Sequence, residues 1–269
     1  MAFMKINIAH ELKKYWPLLL EAQQNNLSEA DTLQRIVKVF ENVLGYDLGE
    51  ISREFEVKCN YVDLAIKIDG IIKFFVEVKA AGKKLRERHV AQGEFYAALG
   101  NMRWVLVTNG VEWKLYHLTF DVDEGVDFVP VFSESLAPET IEKSAEMLAY
   151  LHRNSVKVGA LEKFWEHQSA LSADSIGKAV FTEDVLRLIR KEIRRRQGIL
   201  IDVEDLGQAI HDLFTPDARE LIGPLKIHYN KRAVKQTEVQ PADAGDSTAA
   251  SETLPQSSDK PDDSPGVEP

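Results

Sequence analysis

Two β-rich arms joined by Asp69-Gly70 constrain this chain more than any other stretch. Tyr61-Val62-Asp63-Leu64-Ala65-Ile66-Lys67-Ile68 precedes the turn, and Ile71-Ile72-Lys73-Phe74-Phe75-Val76-Glu77-Val78-Lys79 follows it. Asp-Gly between such runs is a strong hairpin signal, because both turn residues tolerate positive φ. Leu64, Ile66 and Ile68 share one face of the first strand, and Ile72, Phe74, Val76 and Val78 share one face of the second. The apolar faces coincide only if paired residue numbers sum to an even value, as in Leu64 with Val76 and Ile68 with Ile72. A plain two-residue turn gives an odd sum. The pattern therefore predicts a three-residue loop or a bulge, which sets Asp63 beside Glu77 and Lys79.

Two carboxylates and an ammonium then converge on one face. Adjacent carboxylates repel unless a cation lies between them, and an oxygen-rich site of this kind suits Mg²⁺, which keeps several waters for substrate phosphates. Lys79 is within a side chain's reach to orient or deprotonate a water. A second reading of the same residues is open: Glu77 and Lys79 on an exposed strand face, neutralising one another.

Further along the chain come Gln92-Gly93-Glu94-Phe95-Tyr96 and Leu106-Val107-Thr108-Asn109-Gly110-Val111-Glu112-Trp113-Lys114-Leu115-Tyr116. With Asp63 and Glu77-Val78-Lys79, these segments resemble the PD-(D/E)XK nuclease superfamily, and within it the N-terminal nuclease domain of type I restriction enzyme R subunits. Asp63 fits the first acidic position, Glu77-Val78-Lys79 the (D/E)XK step, and Gln92 with Tyr96 the Gln-x-x-x-Tyr element of the following helix. Thr108 to Tyr116 looks like the Thr-Asn-Gly-x-x-Trp-x-x-Tyr hairpin of those domains. The resemblance covers about residues 28 to 118; one departure is Val62, which stands where Pro is common before the first acid.

The resemblance implies an α/β fold with a restriction-endonuclease-like αβββαβ core and a mixed sheet. It implies a Mg²⁺-dependent endonuclease, with Mn²⁺ able to substitute, whose partner is DNA. Asp63, Glu77 and Lys79 would be catalytic, and Asp63, Glu77 and the Val78 carbonyl would hold the metal. A helix Glu commonly approaches the metal in this family, which makes Glu29 a candidate accessory ligand and Glu41 a weaker one. Gln92 and Tyr96 would face the site and hold the scissile strand, and Lys83 and Lys84 add positive charge for phosphates. Each has a plainer reading: a helix N-terminus that favours acid for Glu29, a core Tyr with a satisfied amide, and a solvated cationic face.

The remaining elements follow from periodicity. A first helix is expected over residues 6 to 23, interrupted in pattern by Pro17, and a second starts at Ser28 with Asp31 three residues on and closes at Gly45. A strand is expected over 51 to 59, a helix over 84 to 99, and strands over 103 to 108 and 112 to 118. Trp104 and Trp113 read as packing residues. Residues 121 to 138 read as a connection, and helices are expected over 138 to 153, 158 to 171, 182 to 197 and 203 to 214. The cations Arg187, Arg190, Lys191, Arg194, Arg195 and Arg196 lie in the third of these. They read either as a helix end favoured by the macrodipole or as a contact face for DNA or a partner. The expected domains are a nuclease-like domain over 1–130, a helical module over 131–235 and a disordered acidic tail over 236–269.

Composition supports that division. Net charge is −10, but residues 236–269 hold eight acids and one base, leaving −3 for the rest. Five of the ten prolines and no aromatic residue fall in the same stretch, which cannot bury enough surface to fold. A single cysteine, Cys59, excludes an internal disulfide and a Cys-rich zinc site, and fits a reducing cytoplasm. No signal peptide or membrane span is read. No Gly-x-x-x-x-Gly-Lys-[Ser/Thr] occurs, so the ATP-driven motor of complete R subunits is not in this sequence, and a separate motor or specificity subunit is an expected partner. Two alternatives stay open: a DNA-binding or partner-docking protein that kept the nuclease fold without turnover, and a nuclease acting on RNA.

Overall fold

A computed structural model describes residues 2–121 and 125–229. The expected tail at 236–269 lies outside the described residues. The described residues form two compact units, one of 2–121, 125–179 and 215–223, the other of 180–214 and 224–229.

The first unit is an α/β structure around one mixed sheet. Helix α1 (Ala2–Gln24) runs through Pro17 without a break. Helix α2 (Glu29–Asn42) starts where the sequence predicts: the Ser28 side chain accepts from the Asp31 N–H at 3.2 Å, filling one orphan donor of the first turn. Its stripe of Ile36, Val37 and Phe40 is buried, and Gly45 turns the chain at φ 74°. Strands β1 (Ile51–Val57), β2 (Asn60–Ile68) and β3 (Ile71–Val78) follow as a meander, then helix α3 (Glu87–Gly100) and strands β4 (Trp104–Thr108), β5 (Glu112–Asp121) and β6 (Gly125–Ser135). The spatial order is the chain order, with β3 and β4 parallel and the other pairs antiparallel. Only the parallel pair needs a crossover, and α3 supplies it. From α2 to β4 the order is αβββαβ.

The predicted bulge is present. Leu64 pairs with Val76 and Ile66 with Phe74, the even-sum register; the ladder then shifts, and Lys67 pairs with Ile72 and Ile68 with Ile71. Lys73 is the extra residue. The Asp69-Gly70 turn keeps two residues, with φ of 52° and 77°, so the register correction falls inside the strand and Ile68 meets Ile71 in place of Ile72. Strand β1 ends at Val57, short of the expected Cys59, because Lys58 and Cys59 form their own turn with φ of 45° and 66°.

Helices α1 and α2 cover one sheet face, where Leu12, Leu19, Ile36 and Phe40 meet Leu64, Ile66, Phe74, Val76, Leu106 and Trp113. Helix α3 lies over the other, where Ala97 joins Val105, Val107 and Leu118. Strands β3 and β4 therefore carry apolar residues on both faces, as the centre of a covered sheet requires. Trp104 and Trp113 pack inside, and Trp113 Nε1 donates to the Gly110 carbonyl at 3.0 Å.

The stretch read as a connection contains β6. It holds Pro130, which is tolerated because β6 is an edge of the sheet. Helical structure follows, with α4 (Ile141–Leu148), α5 (Arg153–Lys157), α6 (Ala160–Ala170) and α7 (Ala173–Val180). Helices α8 (Glu183–Gln197) and α9 (Val203–Leu213) belong to the second unit, and α10 (Pro216–Ile222) to the first. On α8, Arg187 pairs with Glu183, and Arg195 and Arg196 pair with Glu192, so half of its cations are engaged locally. Among the described residues no helix is long and apolar enough to cross a membrane.

Candidate active site

Besides the bulge at Lys73, strict alternation fails around Asp63 in β2. Val62 and Ala65 both pack with Phe75, which a period of two forbids. Between them lies Asp63, and the flanking ladder pairs, Arg53 with Leu64 and Phe55 with Val62, set it opposite Glu54, whose φ is 46°. A glutamate in the left-handed region is uncommon, and such backbone is held only where its surroundings enforce it. The half-buried Asp63 carboxylate accepts the Val78 N–H at 2.6 Å, which ties the end of β3 to β2.

Glu77 and Lys79 are not solvated strand residues: Glu77 is 3 % exposed and Lys79 5 %. Lys79 Nζ is a hub, 2.5 Å from Glu77 Oε1, 3.0 Å from Gln92 Oε1 and 3.4 Å from Glu29 Oε1. Oxygens of Glu29, Asp63 and Glu77 lie within 4.8 Å of one another. The structure thus brings Glu29 to Asp63, Glu77 and Lys79. Glu41 is elsewhere, paired with Lys38 at 2.7 Å, and is not part of the cluster.

The electrostatics follow from the burial. Loss of water raises the Glu77 carboxyl, and the neighbouring Asp63 charge raises it further, to about 7, against the lowering pull of Lys79. Burial also raises Asp63, opposed by the Val78 N–H and by Lys79. For Lys79, burial alone would depress the ammonium, but the bond to Glu77 and the charges of Glu77, Glu29 and Asp63 together outweigh it and the net shift is upward. Three carboxylates against one ammonium leave the ionised cluster at a formal −2, the charge a divalent cation balances. The donors are hard oxygens, and an ion with ligands at about 2.1 Å spans opposite oxygens about 4.2 Å apart. The residues fit such an ion with only a small contraction.

Helix α3 lies close to the sheet here because residue 93 is Gly; a Cβ there would sit 2.8 Å from Val105 Cγ1. Gln92 and Tyr96, one turn apart, both point to the site: the Gln92 amide reaches Lys79 through its oxygen and Tyr96 Oη through its nitrogen, at 3.4 Å. Lys83 and Lys84 are exposed, in the loop that follows Lys79 and not on α3, which begins at Glu87. Three polar residues that the sequence reading did not single out for the site hold this loop. Thr32 Oγ1 accepts the Ala81 N–H at 3.0 Å, the Asn109 amide donates to the Lys83 carbonyl at 2.8 Å, and the Lys79 N–H donates to the Thr108 carbonyl at 2.8 Å. Asn109 is also the turn maker, its Oδ1 accepting from the Val111 and Glu112 N–H groups. Thr108-Asn109-Gly110 was legible as a motif, but its grip on the loop beside Lys79 depends on the fold.

Helix, meander, crossover helix and hairpin form one run of chain, with the acids at its centre. Residues 28–130 match the type I restriction enzyme R protein N terminus. The match extends from Ser28, the cap of α2, into β6, and includes Glu29, Asp63, Glu77, Lys79, Gln92, Tyr96 and Asn109. Over this segment the chain is similar to that family, the one its motifs resemble. No curated protein and no solved structure matches the chain.

Proposed function

We propose that this chain is a Mg²⁺-dependent deoxyribonuclease that hydrolyses phosphodiester bonds in the cytoplasm, in the manner of a type I restriction R subunit. The observation that carries this reading is the convergence of Glu29, Asp63 and Glu77 around buried Lys79 in a segment of the matching family. A buried ammonium shared between carboxylates has little value as a packing element, since desolvation cancels most of the attraction. It has value where charge develops during a reaction.

Asp63, Glu77, the Val78 carbonyl and Glu29 would hold the ion. When bound, a divalent ion neutralises the scissile phosphate and makes a nearby water more acidic. Lys79 keeps its proton, because the surrounding carboxylates outweigh the effect of burial and raise its pKa, and so places a fixed positive charge beside the reacting phosphate. Gln92 fixes the Lys79 head group through its amide oxygen and leaves Tyr96 to orient the strand. Lys83 and Lys84 extend the positive charge along the backbone of the bound DNA. A separate motor or specificity subunit would select where the strand is cut.

Asp63→Asn separates this reading from a fold kept for binding alone. A nuclease loses turnover in Mg²⁺ while still retaining DNA in a gel-shift assay. Wild-type protein that retains DNA but shows no turnover with Mg²⁺ or Mn²⁺, with the Asp63→Asn variant indistinguishable from it, supports the binding module.

A further inference from the structure

Helix α3 offers the site one aromatic side chain that the core does not use. Residues 92, 95, 96 and 99 share a side of the helix by their spacing. Tyr96 is half-buried and packs with Val57, Val62, Ala65 and Phe75. Phe95 joins no core cluster among the described residues and is 53 % exposed. It is nonetheless held: its ring lies 5.8 Å from the Tyr96 ring, tilted by 58°. Tyr96 in turn meets Gln92, and Gln92 meets Lys79. An unbroken series of contacts therefore links an open aromatic face to the acid cluster, while exposed Lys83, Lys84 and Arg86 occupy the loop that leads from Lys79 to the same helix. Cations that follow a phosphate backbone beside an aromatic surface are the physical basis of single-strand binding, because every unpaired base has a free π-face and a paired base in a duplex has none.

We infer that Phe95 is a stacking platform for an unpaired base next to the scissile phosphate, which makes single-stranded or frayed DNA the preferred substrate of this site. The inference rests on the nuclease reading for the nature of the ligand. Phe95 is a specificity-determining residue here, with no part in the bond-breaking step. Its exposure means that substitution leaves the fold intact, and the ring is replaceable by another ring but not by an aliphatic chain of similar size.

The test uses the full chain as wild type, Phe95→Ala, Phe95→Leu and Phe95→Trp. Each is titrated against a single-stranded oligonucleotide carrying 2-aminopurine and against its duplex, in EDTA so that binding is read without turnover. The same strands are then cleaved in Mg²⁺. Stacking quenches the 2-aminopurine on wild type and on Phe95→Trp. Phe95→Ala and Phe95→Leu weaken single-strand binding about 5- to 150-fold and raise KM with kcat little changed, while duplex binding is unaffected. Equal losses on duplex and single strand, rescue by Leu as complete as by Trp, or no loss at all overturns the inference. Quenching without cleavage sinks the nuclease reading and leaves the platform standing; cleavage without quenching does the reverse.

Discussion

Lys79 Nζ lies 2.5 Å from Glu77 Oε1, and both side chains are almost wholly buried. Two residues that read as alternating strand charges are thus an ion pair out of water, with a second carboxylate and an amide on the same ammonium.

Removing the cation leaves buried carboxylates without a counter-charge. Lys79→Met is expected to lower unfolding stability by about 3 to 5 kcal/mol at pH 8. Part of that loss returns at pH 6, where Glu77 takes up a proton, and part returns with Mg²⁺. Urea unfolding at the two pH values checks this; a variant equally stable at both places the ammonium outside the cluster's charge balance.

Glu77 gives the metal-free protein a distinctive pH profile. Its pKa is raised from 4.5 to about 7, so the fold binds a proton that the unfolded chain releases. Its contribution, about 3 kcal/mol at most, is present below pH 4.5 and disappears as pH rises through 7. Ion binding requires the carboxylate and has the opposite slope. The rise in Tm caused by Mn²⁺ is therefore larger at pH 8 than at pH 6, and Glu77→Gln removes the difference.

His117 acts in the other direction. It stacks on Trp165 at 4.3 Å and meets the edge of Trp104, and its buried Nδ1 has no hydrogen-bond partner. Burial, helped by Arg103, lowers its pKa from 6.5 to about 4. The neutral ring's contribution is complete above pH 6.5 and is lost as pH falls through 4, by about 3 kcal/mol at most. His117→Phe is expected to flatten the acid limb of a Tm-against-pH curve between pH 6.5 and 4, with no change in metal binding.

Gly93→Ala tests the close approach of α3. The added Cβ meets Val105 Cγ1 at 2.8 Å and must push the helix away from the sheet. The expected costs are about 1 to 3 kcal/mol in stability and a fall in activity as Gln92 and Tyr96 leave Lys79. Denaturant midpoints and cleavage rates measured on the same sample check both.

The hairpin bulge was legible because two apolar faces could not coincide without it. Its position was not, since whether the turn or the strand absorbs the extra residue depends on φ at Asp69 and Gly70. Strand β6 was read as a connection; it contains Pro130, which an edge strand tolerates. Asp63, Glu77 and Lys79 were visible as a motif, whereas Glu29 entered only through the family resemblance. The burial that gives these residues their shifted pKa values comes from α2 and α3 closing on the sheet. Thr32 was invisible as a clamp because its partner, the Ala81 N–H, is distant in sequence.

The most direct measurement is cleavage of supercoiled plasmid, linear duplex and single-stranded DNA by wild type and Lys79→Ala, in Mg²⁺, in Mn²⁺ and in EDTA. The account predicts phosphodiester cleavage by wild type that requires the ion and falls by about 100-fold or more in the variant. Cleavage by Lys79→Ala at the wild-type rate, or a wild-type protein that retains DNA yet cuts none of the three substrates with either ion, contradicts it.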